Sequence, residues 1–161
     1  MIKSAYISED GKYRYHLQRI WSQTAYSRCC FIMLNPSTAD AFVDDPTIRR
    51  CMGFAKSLNF GSMGVVNLFA YRTSKPTELF KSSDPVGPEN DEVILSEVHR
   101  ADCHLVIAAW GSNGGKYLDR VKTVCHGIKK GLMCFGTTQL GQPRHPLYLP
   151  ANSELEEYFI P

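Results

Sequence analysis

Continuous apolar runs and helical patterns alternate along this chain. Residues 29–34, 63–69, 105–109 and 132–135 are apolar almost throughout, which is typical of strands buried on both faces of a parallel sheet. Residues 46–59, 90–101 and 116–126 instead carry apolar side chains at helical spacing. The alternation predicts a three-layer α/β/α fold, with a central, mostly parallel four-stranded sheet and helices on both faces.

Turn and cap residues refine this prediction at three points. Asp10-Gly11 separates residues 4–7 from residues 13–17, which predicts an N-terminal β-hairpin because this dipeptide favours the positive φ of a tight turn. Asp45-Pro46 is typical of the N-cap and first turn of a helix. Ser153 is placed to cap a short terminal helix.

Length and composition favour one domain over residues 1–161, since 43% of the 161 residues are hydrophobic and 21% are charged. No run of 18 apolar residues and no apolar segment near the amino terminus is present, so we expect a cytoplasmic protein without a membrane partner. The six cysteines form no CxxC pair, and we expect no metal site. A formal net charge of +2 does not by itself indicate nucleic-acid binding, so any basic surface is local.

Polar residues follow the apolar runs at the points where the strands are predicted to end. Asn35 follows the first run, Asn67 lies in the second, and His145 lies in a late loop beyond the fourth. Ligands of open α/β sheets bind at the carboxyl edge of the strands, where these residues would converge. Two amides and an imidazole are suited to recognising and attacking a nucleobase.

Asn35 is a candidate for holding a water molecule, because the stiff Pro36 that follows it fixes the strand end. An amide does not ionise, so a general base must come from a nearby carboxylate. The nearby candidates are Asp40, Asp44 and Asp45, of which we assign Asp40 and Asp44 to catalysis and interpret Asp45 chiefly as a helix cap. The alternative is that Asn35 belongs to a polar turn.

Asn67 is an amide inside an apolar strand, where an unpaired group costs roughly 1–3 kcal/mol. Such an amide can read the edge of a base, or it can be a structural amide bonded to a loop backbone. Phe42 and Tyr71 are candidate stacking surfaces for the base, although aromatic side chains near a sheet edge more often belong to the core.

The loop at residues 143–150 contains three prolines and is therefore stiff. We predict that His145 stabilises negative charge on a departing base, and that Leu147 or Tyr148 wedges into a base stack. Arg49, Arg50, Arg72 and Arg144 are the candidate phosphate or DNA contacts, with a solvated mixed-charge surface as the alternative for each.

The order of four short motifs resembles that of the uracil-DNA glycosylase superfamily. These motifs are Asn-Pro, Val-Val-Asn, Ala-Trp-Gly and His-Pro. The resemblance implies that Asn35 positions the water, Asn67 reads the base, His145 stabilises the leaving base, and Leu147 or Tyr148 enters the groove. Ser37 follows Asn-Pro in the first motif and is assigned to substrate binding. His145-Pro146 is followed by Leu147, where the superfamily usually has serine.

A closer resemblance is to a bacterial and phage family known only as domain of unknown function, number sixteen forty-three. The segments similar to its motifs are NPSTAD, DDPTIRRC, NLFAYR, AAWG and RHPLYLP. We expect a glycosylase-like hydrolase that cleaves the bond between a base and its sugar, with DNA or a nucleotide as partner and no cofactor. A noncatalytic module that binds a nucleotide or modified base is the alternative. A small-molecule hydrolase or transferase on the same fold is a third possibility.

Overall fold

The structure, a computed structural model, describes residues 1–24 and 27–161. None of the helices in these two ranges is long and apolar enough to cross a membrane. The strands are β1 Ile2–Ile7, β2 Arg14–Ile20, β3 Arg28–Met33, β4 Ser62–Asn67, β5 Cys103–Ala108, β6 Leu132–Cys134 and β7 Glu156–Glu157. The helices are α1 Pro46–Ser57, α2 Asn90–Val98 and α3 Leu118–Gly127, with 3-10 helices at Pro76–Lys81, Ser112–Tyr117 and Pro146–Tyr148.

All strands join one mixed seven-stranded sheet in the order β1-β2-β4-β3-β5-β6-β7. The four neighbours β4, β3, β5 and β6 run parallel, whereas β1, β2 and β7 pair antiparallel at the two ends. The α/β class is therefore confirmed, and the prediction of a four-stranded sheet with a separate hairpin is wrong. The hairpin forms as predicted, but β2 pairs with β4 and extends the sheet.

The carboxyl-terminal segment also differs from the prediction. The expected helix after Ser153 is absent from the described structure, and β7 pairs with β6 instead. Tyr158 explains the difference: it is buried with its ring against Trp110, and its N–H donates to the carbonyl of Leu132. Burial of this aromatic side chain favours an extended segment along the sheet edge.

Strand β3 lies in the middle of the sheet and supplies side chains to both cores. Cys30 and Ile32 face the core that α2 and α3 cover, whereas Phe31 and Met33 face the core that α1 covers. This alternation explains why the strand reads as a continuous apolar run, because a strand covered on both faces has no polar side. Helices cover both faces, as predicted.

Helix α1 begins as its sequence predicts. The Asp45 carboxylate accepts a hydrogen bond from Ile48 N–H at 2.9 Å, and Pro46 occupies the first turn. Such a cap contributes about 1 kcal/mol to helix stability. The buried residues Cys51, Phe54 and Ala55 pack this helix against the sheet.

Strand β2 has the reverse direction to β4, and this brings its first residue to the edge where the parallel strands end. Leu17 pairs with Val65, and the Arg14 N–H donates to the carbonyl of Ala70 at 3.0 Å, beyond the end of β4. The hairpin therefore adds Arg14 to the sheet edge at which α/β proteins bind ligands.

Candidate functional site

A cavity of about 440 Å³ lies at the carboxyl edge of the parallel strands. Its walls come from the residues after β3, the end of β4, the residues after β5 and the loop at residues 143–150. The volume falls within the range of about 300–1,000 Å³ that is usual for small-molecule sites. The location is the one predicted for a ligand of an open α/β sheet.

The structure brings about half of the predicted site residues to this cavity. Those that line it are Asn35, Ser37, Asn67, Arg144, His145, Leu147 and Tyr148. Those that do not are Asp40, Asp44, Phe42, Tyr71, Arg49, Arg50 and Arg72. The residues of the strand ends and the late loop thus converge, whereas most of those in the loop after Asn35 and in helix α1 do not.

The Asn35 side chain is held in one orientation. Its Nδ2 donates to the carbonyl oxygens of Pro36 at 3.0 Å and Thr73 at 2.8 Å. Both hydrogen bonds involve the nitrogen, so Oδ1 is left to accept from another donor. The side chain can therefore fix a water molecule or a ligand group by accepting its hydrogen bond.

Asn67 is 1% exposed, and neither Oδ1 nor Nδ2 has a hydrogen-bond partner among the described residues. Its backbone is held in place, since Asn90 Nδ2 donates to the carbonyl oxygens of Asn67 at 3.0 Å and Leu68 at 3.2 Å. An unpaired buried polar group costs about 1–3 kcal/mol. The carboxamide therefore lacks the loop-backbone partner that a structural amide requires, and Asn67 lies at the cavity wall.

His145 lies at the start of a 3-10 turn, where its Nδ1 accepts a hydrogen bond from Leu147 N–H at 3.2 Å. In the neutral ring, this bond places the proton on Nε2. Burial lowers the pKa of His145 below its ordinary value, and the nearby Asp45 charge acts in the opposite direction. The ring is therefore a neutral Nε2–H donor at neutral pH.

The loop that carries His145 is fixed on two sides. Gly111 N–H donates to the carbonyl of Pro143 at 2.9 Å, and a Cβ at Gly111 would lie 3.2 Å from the Cβ of His145. Gly111 also has a φ of +78°, a conformation that favours glycine. Glycine at this position therefore lets β5 and the late loop approach closely.

Arg50 fixes the other side of this loop. Its guanidinium donates to the carbonyl oxygens of Pro146 at 3.4 Å and Leu149, and lies 5.2 Å from the ring of Phe54. These partners are backbone groups of the loop, so Arg50 supports the loop and does not line the cavity. Arg49 is exposed and donates to the carbonyl of Asp44 at 2.6 Å.

Arg72 and Arg144 differ in their relation to the cavity. Arg72 donates to the carbonyl of Gly11 at 3.2 Å and holds the hairpin turn. Arg144 is exposed and lines the cavity. Of the four predicted phosphate contacts, Arg144 is thus the one that the structure places at the cavity.

The two carboxylates predicted to be catalytic have structural partners elsewhere. Asp44 forms ion pairs with Lys3 at 2.8 Å and Arg19 at 2.7 Å. Asp40 accepts from Phe42 N–H at 2.7 Å and Val43 N–H at 2.8 Å, which closes the turn at this point. Neither residue lines the cavity.

Asp45 is the carboxylate that the structure places at the cavity wall. Its Oδ1 caps helix α1, and a carboxylate has a second oxygen available for a further donor. Sequence reasoning assigned this residue to capping because the Asp-Pro signal accounts for it. Because helix α1 begins at the cavity, the Asp45 side chain both caps the helix and lines the cavity.

The predicted stacking residues lie outside the cavity. Phe42 is 83% exposed, and Tyr71 packs edge-on against Tyr13 with 6.5 Å between ring centroids. Besides Tyr148, the aromatic residue that lines the cavity is Trp110. Its Nε1 donates to Gln142 Oε1 at 2.9 Å, and a Cβ at Gly114 would clash with its ring.

Arg14 is a cavity residue that the sequence reasoning missed. It is 2% exposed, and its Nη1 donates to the carbonyl of Ala39 at 2.8 Å. Burial lowers the pKa of Arg14 to about 10, and the Asp45 charge opposes this shift, so the guanidinium stays charged at neutral pH. The available signal was an arginine between two tyrosines that become buried, Tyr13 and Tyr15.

The fold and the cavity define an α/β protein with a cavity lined partly by polar side chains at the edge of its sheet. The chain belongs to the family described as Protein of unknown function (DUF1643), whose model matches residues 14–147. No curated protein and no solved structure matches the chain. The matched range contains every residue of the cavity wall except Tyr148. Within the part of the chain that the structure describes, no group of three or more His, Cys, Asp or Glu side chains is arranged to hold a metal ion.

Proposed function

We propose that this protein is a hydrolase that cleaves the N-glycosidic bond between a nucleobase and its sugar, in a nucleotide flipped out of DNA. One observation carries the proposal: the unpartnered carboxamide of Asn67 is buried in the same cavity as the Nε2–H donor of His145. A base edge offers the donors and acceptors that a buried carboxamide lacks. The motif order supports the same reaction class.

His145 acts on the leaving base. When the bond between C1′ of the sugar and the base nitrogen breaks, its electron pair moves to the base. The Nε2–H of the neutral ring donates a hydrogen bond to the resulting anion, and a donor of this kind contributes about 10²–10³ in rate. Burial supports this role because it keeps the ring neutral at neutral pH.

Asn35 and Asp45 act on the opposite side of the reaction. The sugar develops positive, oxocarbenium character as the base departs, and a water oxygen bonds to C1′. The fixed Oδ1 of Asn35 accepts a hydrogen bond from this water. Asp45 takes the proton that the water loses, and its charge stabilises the cationic sugar.

The outer wall of the cavity suits the rest of the nucleotide. Leu147 is 37% exposed and Tyr148 is 78% exposed, directly after His145. These side chains fill the space that a flipped nucleotide leaves in the stack. Arg144 beside them contacts the phosphate backbone.

The direct test is formation of abasic sites in oligonucleotides that carry deaminated, alkylated, oxidised and hypermodified bases. We expect wild-type protein to produce abasic sites on at least one base and His145→Ala to lose this activity. His126→Ala, an exposed histidine on α3 that does not line the cavity, is the matched control and keeps full activity. Absence of cleavage on every base, or equal cleavage by both variants, would exclude the proposal.

A noncatalytic nucleotide-binding module is the second candidate. It is favoured by one observation, namely that Asn35 does not ionise and Asp45 already serves as a helix cap. Saturable binding of a nucleoside without any released base would assign the cavity to this function.

A further inference from the structure

The guanidinium of Arg14 has an unused edge. Nη1 donates to the carbonyl of Ala39, whereas neither Nε nor Nη2 donates to any of the described residues. Nε and Nη2 form one side of the planar guanidinium, and their two parallel N–H groups match a pair of adjacent acceptor atoms. A buried cation with this edge unpaired lacks hydrogen bonds that water or a ligand must supply.

Arg14 and Asn67 are the most buried polar residues of the cavity wall, and we call this buried part of the wall the inner end of the cavity. The two side chains belong to residues that are 2% and 1% exposed, whereas Arg144 and Tyr148 lie at the exposed outer end. In the orientation of the proposed function, the base occupies the inner end and the phosphates stay outside. Arg14 therefore faces the base.

We infer that Arg14 is a specificity-determining residue, and that the cavity accepts a base with two adjacent acceptors on one edge, of the 6-oxopurine class. Guanine and its relatives present O6 and N7 side by side, and a bidentate arginine is the commonest specific contact to this pair. Uracil and thymine present a single acceptor, O4, on the corresponding edge. This inference rests on the proposed function for the orientation of the base.

The surroundings of Arg14 favour a neutral base over an oxoanion. The charges of Asp45 and Asp40 act on the guanidinium in the direction opposite to those of Arg72 and Arg19, so the two pairs offset each other. The inner end of the cavity also contains the apolar side chains of Met33, Val65 and Ile48, which do not replace the hydration of a phosphate.

Ligand-side chemistry tests the inference without changing the protein. The probes are the free nucleosides guanosine, inosine, 7-deazaguanosine and uridine, with inorganic phosphate as a separate arm, each titrated by ligand-observed NMR. 7-Deazaguanosine replaces the N7 acceptor with C–H and keeps O6. We expect guanosine and inosine to bind about 5–150-fold more tightly than 7-deazaguanosine and uridine, the range that corresponds to 1–3 kcal/mol for a bidentate contact.

Two variants complete the experiment. Arg14→Lys keeps the charge and loses the planar fork, and Arg14→Gln loses both, so we expect each to abolish the preference for guanosine over 7-deazaguanosine. Circular dichroism verifies that they fold, and the 7-deazaguanosine comparison on wild-type protein stands if they do not. Equal binding of guanosine and 7-deazaguanosine, no binding of guanosine, or phosphate binding that depends on Arg14 would overturn the inference. Preferential guanosine binding without abasic-site formation would leave this inference in place and remove the proposed hydrolysis.

Discussion

Two buried arginines of this protein have contrasting environments. Arg28 on β3 is fully buried, and its Nη2 bonds to Glu97 at 2.5 Å and to His16 Nε2 at 2.9 Å. Arg14 on β2 is equally buried but forms no ion pair within the described residues. One charge is paired inside the fold, and the other lies at a cavity.

The sequence around each arginine explains the contrast. Gly64 lies beside Arg28, where a Cβ would overlap the guanidinium, so this glycine gives the side chain room to cross the sheet toward β2 and α2. Arg14 lies at the first residue of its strand, at the carboxyl edge. A buried charge that loses its partner destabilises the fold, whereas unpaired polar groups at a cavity are available for binding.

The largest expected effect on stability is at the paired arginine. Glu97→Ala removes the carboxylate that pairs with Arg28 and leaves a buried charge, so we expect the free energy of unfolding to fall by about 3–5 kcal/mol. Urea denaturation measures this change. Glu92→Ala on the same helix is the control, because Glu92 is exposed, and it should cost less than about 1 kcal/mol. A loss of similar size in both variants would remove the contrast between the two arginines.

Substitution of the cavity residue His145 is expected to change the rate of base release and to leave stability nearly unchanged. His145→Ala should lower the rate of base release by about 10²–10³, since one donor to the leaving group is lost. The free energy of unfolding should change by less than about 1 kcal/mol, because the ring makes one local hydrogen bond. Parallel measurement of rate and urea midpoint checks both. A fall in stability large enough to explain the rate would assign His145 to the fold.

Asn67→Leu compares an unpartnered polar group at the cavity with a hydrogen-bonded one inside the fold. Removing an unpartnered buried amide should raise the free energy of unfolding by about 1 kcal/mol while abolishing base recognition. Asn90→Leu is the matched variant, because its Nδ2 donates to two carbonyl oxygens and its loss should cost about 1–3 kcal/mol. Equal destabilisation in the two variants would show that Asn67 has an internal partner.

The smallest expected effect is a pH dependence of stability that arises from His16, which contacts Arg28 and Glu97. Burial, followed by the Arg28 charge, lowers the pKa of His16 from 6.5 to about 3. Below pH 6.5 the unfolded chain binds a proton at this position that the folded chain does not, so stability falls with falling pH. Between pH 6.5 and 5.5 the loss is about 1 kcal/mol. His16→Gln should remove this part of the slope in urea midpoints, and an unchanged slope would contradict the assignment.

Local patterns predicted much of the fold. The four parallel strands were predicted because both faces of each are covered, and the hairpin and the α1 cap because Asp-Gly and Asp-Pro have specific turn chemistry. The pairing of β2 with β4 was not predicted, since it joins segments about 45 residues apart and leaves no local signal. The position of Arg14 at the cavity follows from that pairing.

The candidate site was predictable where strand ends place the residues. Asn35, Asn67 and His145 line one cavity because β3, β4 and the late loop end at one edge. The choice between Asp40, Asp44 and Asp45 was not predictable, because a turn closed by the backbone decides which carboxylate faces the cavity. The position of Arg50 was not predictable for a similar reason, because its partners are carbonyl oxygens of a loop distant in sequence, and no motif indicates them.

Base recognition by Asn67 in a hydrolytic reaction is tested by the release of free base from modified oligonucleotides, measured by mass spectrometry with wild-type protein and Asn67→Leu. We expect equimolar free base and abasic strand with wild-type protein, and none with the variant although it folds. Base release at the wild-type rate by Asn67→Leu, or no release from any oligonucleotide, would contradict this expectation.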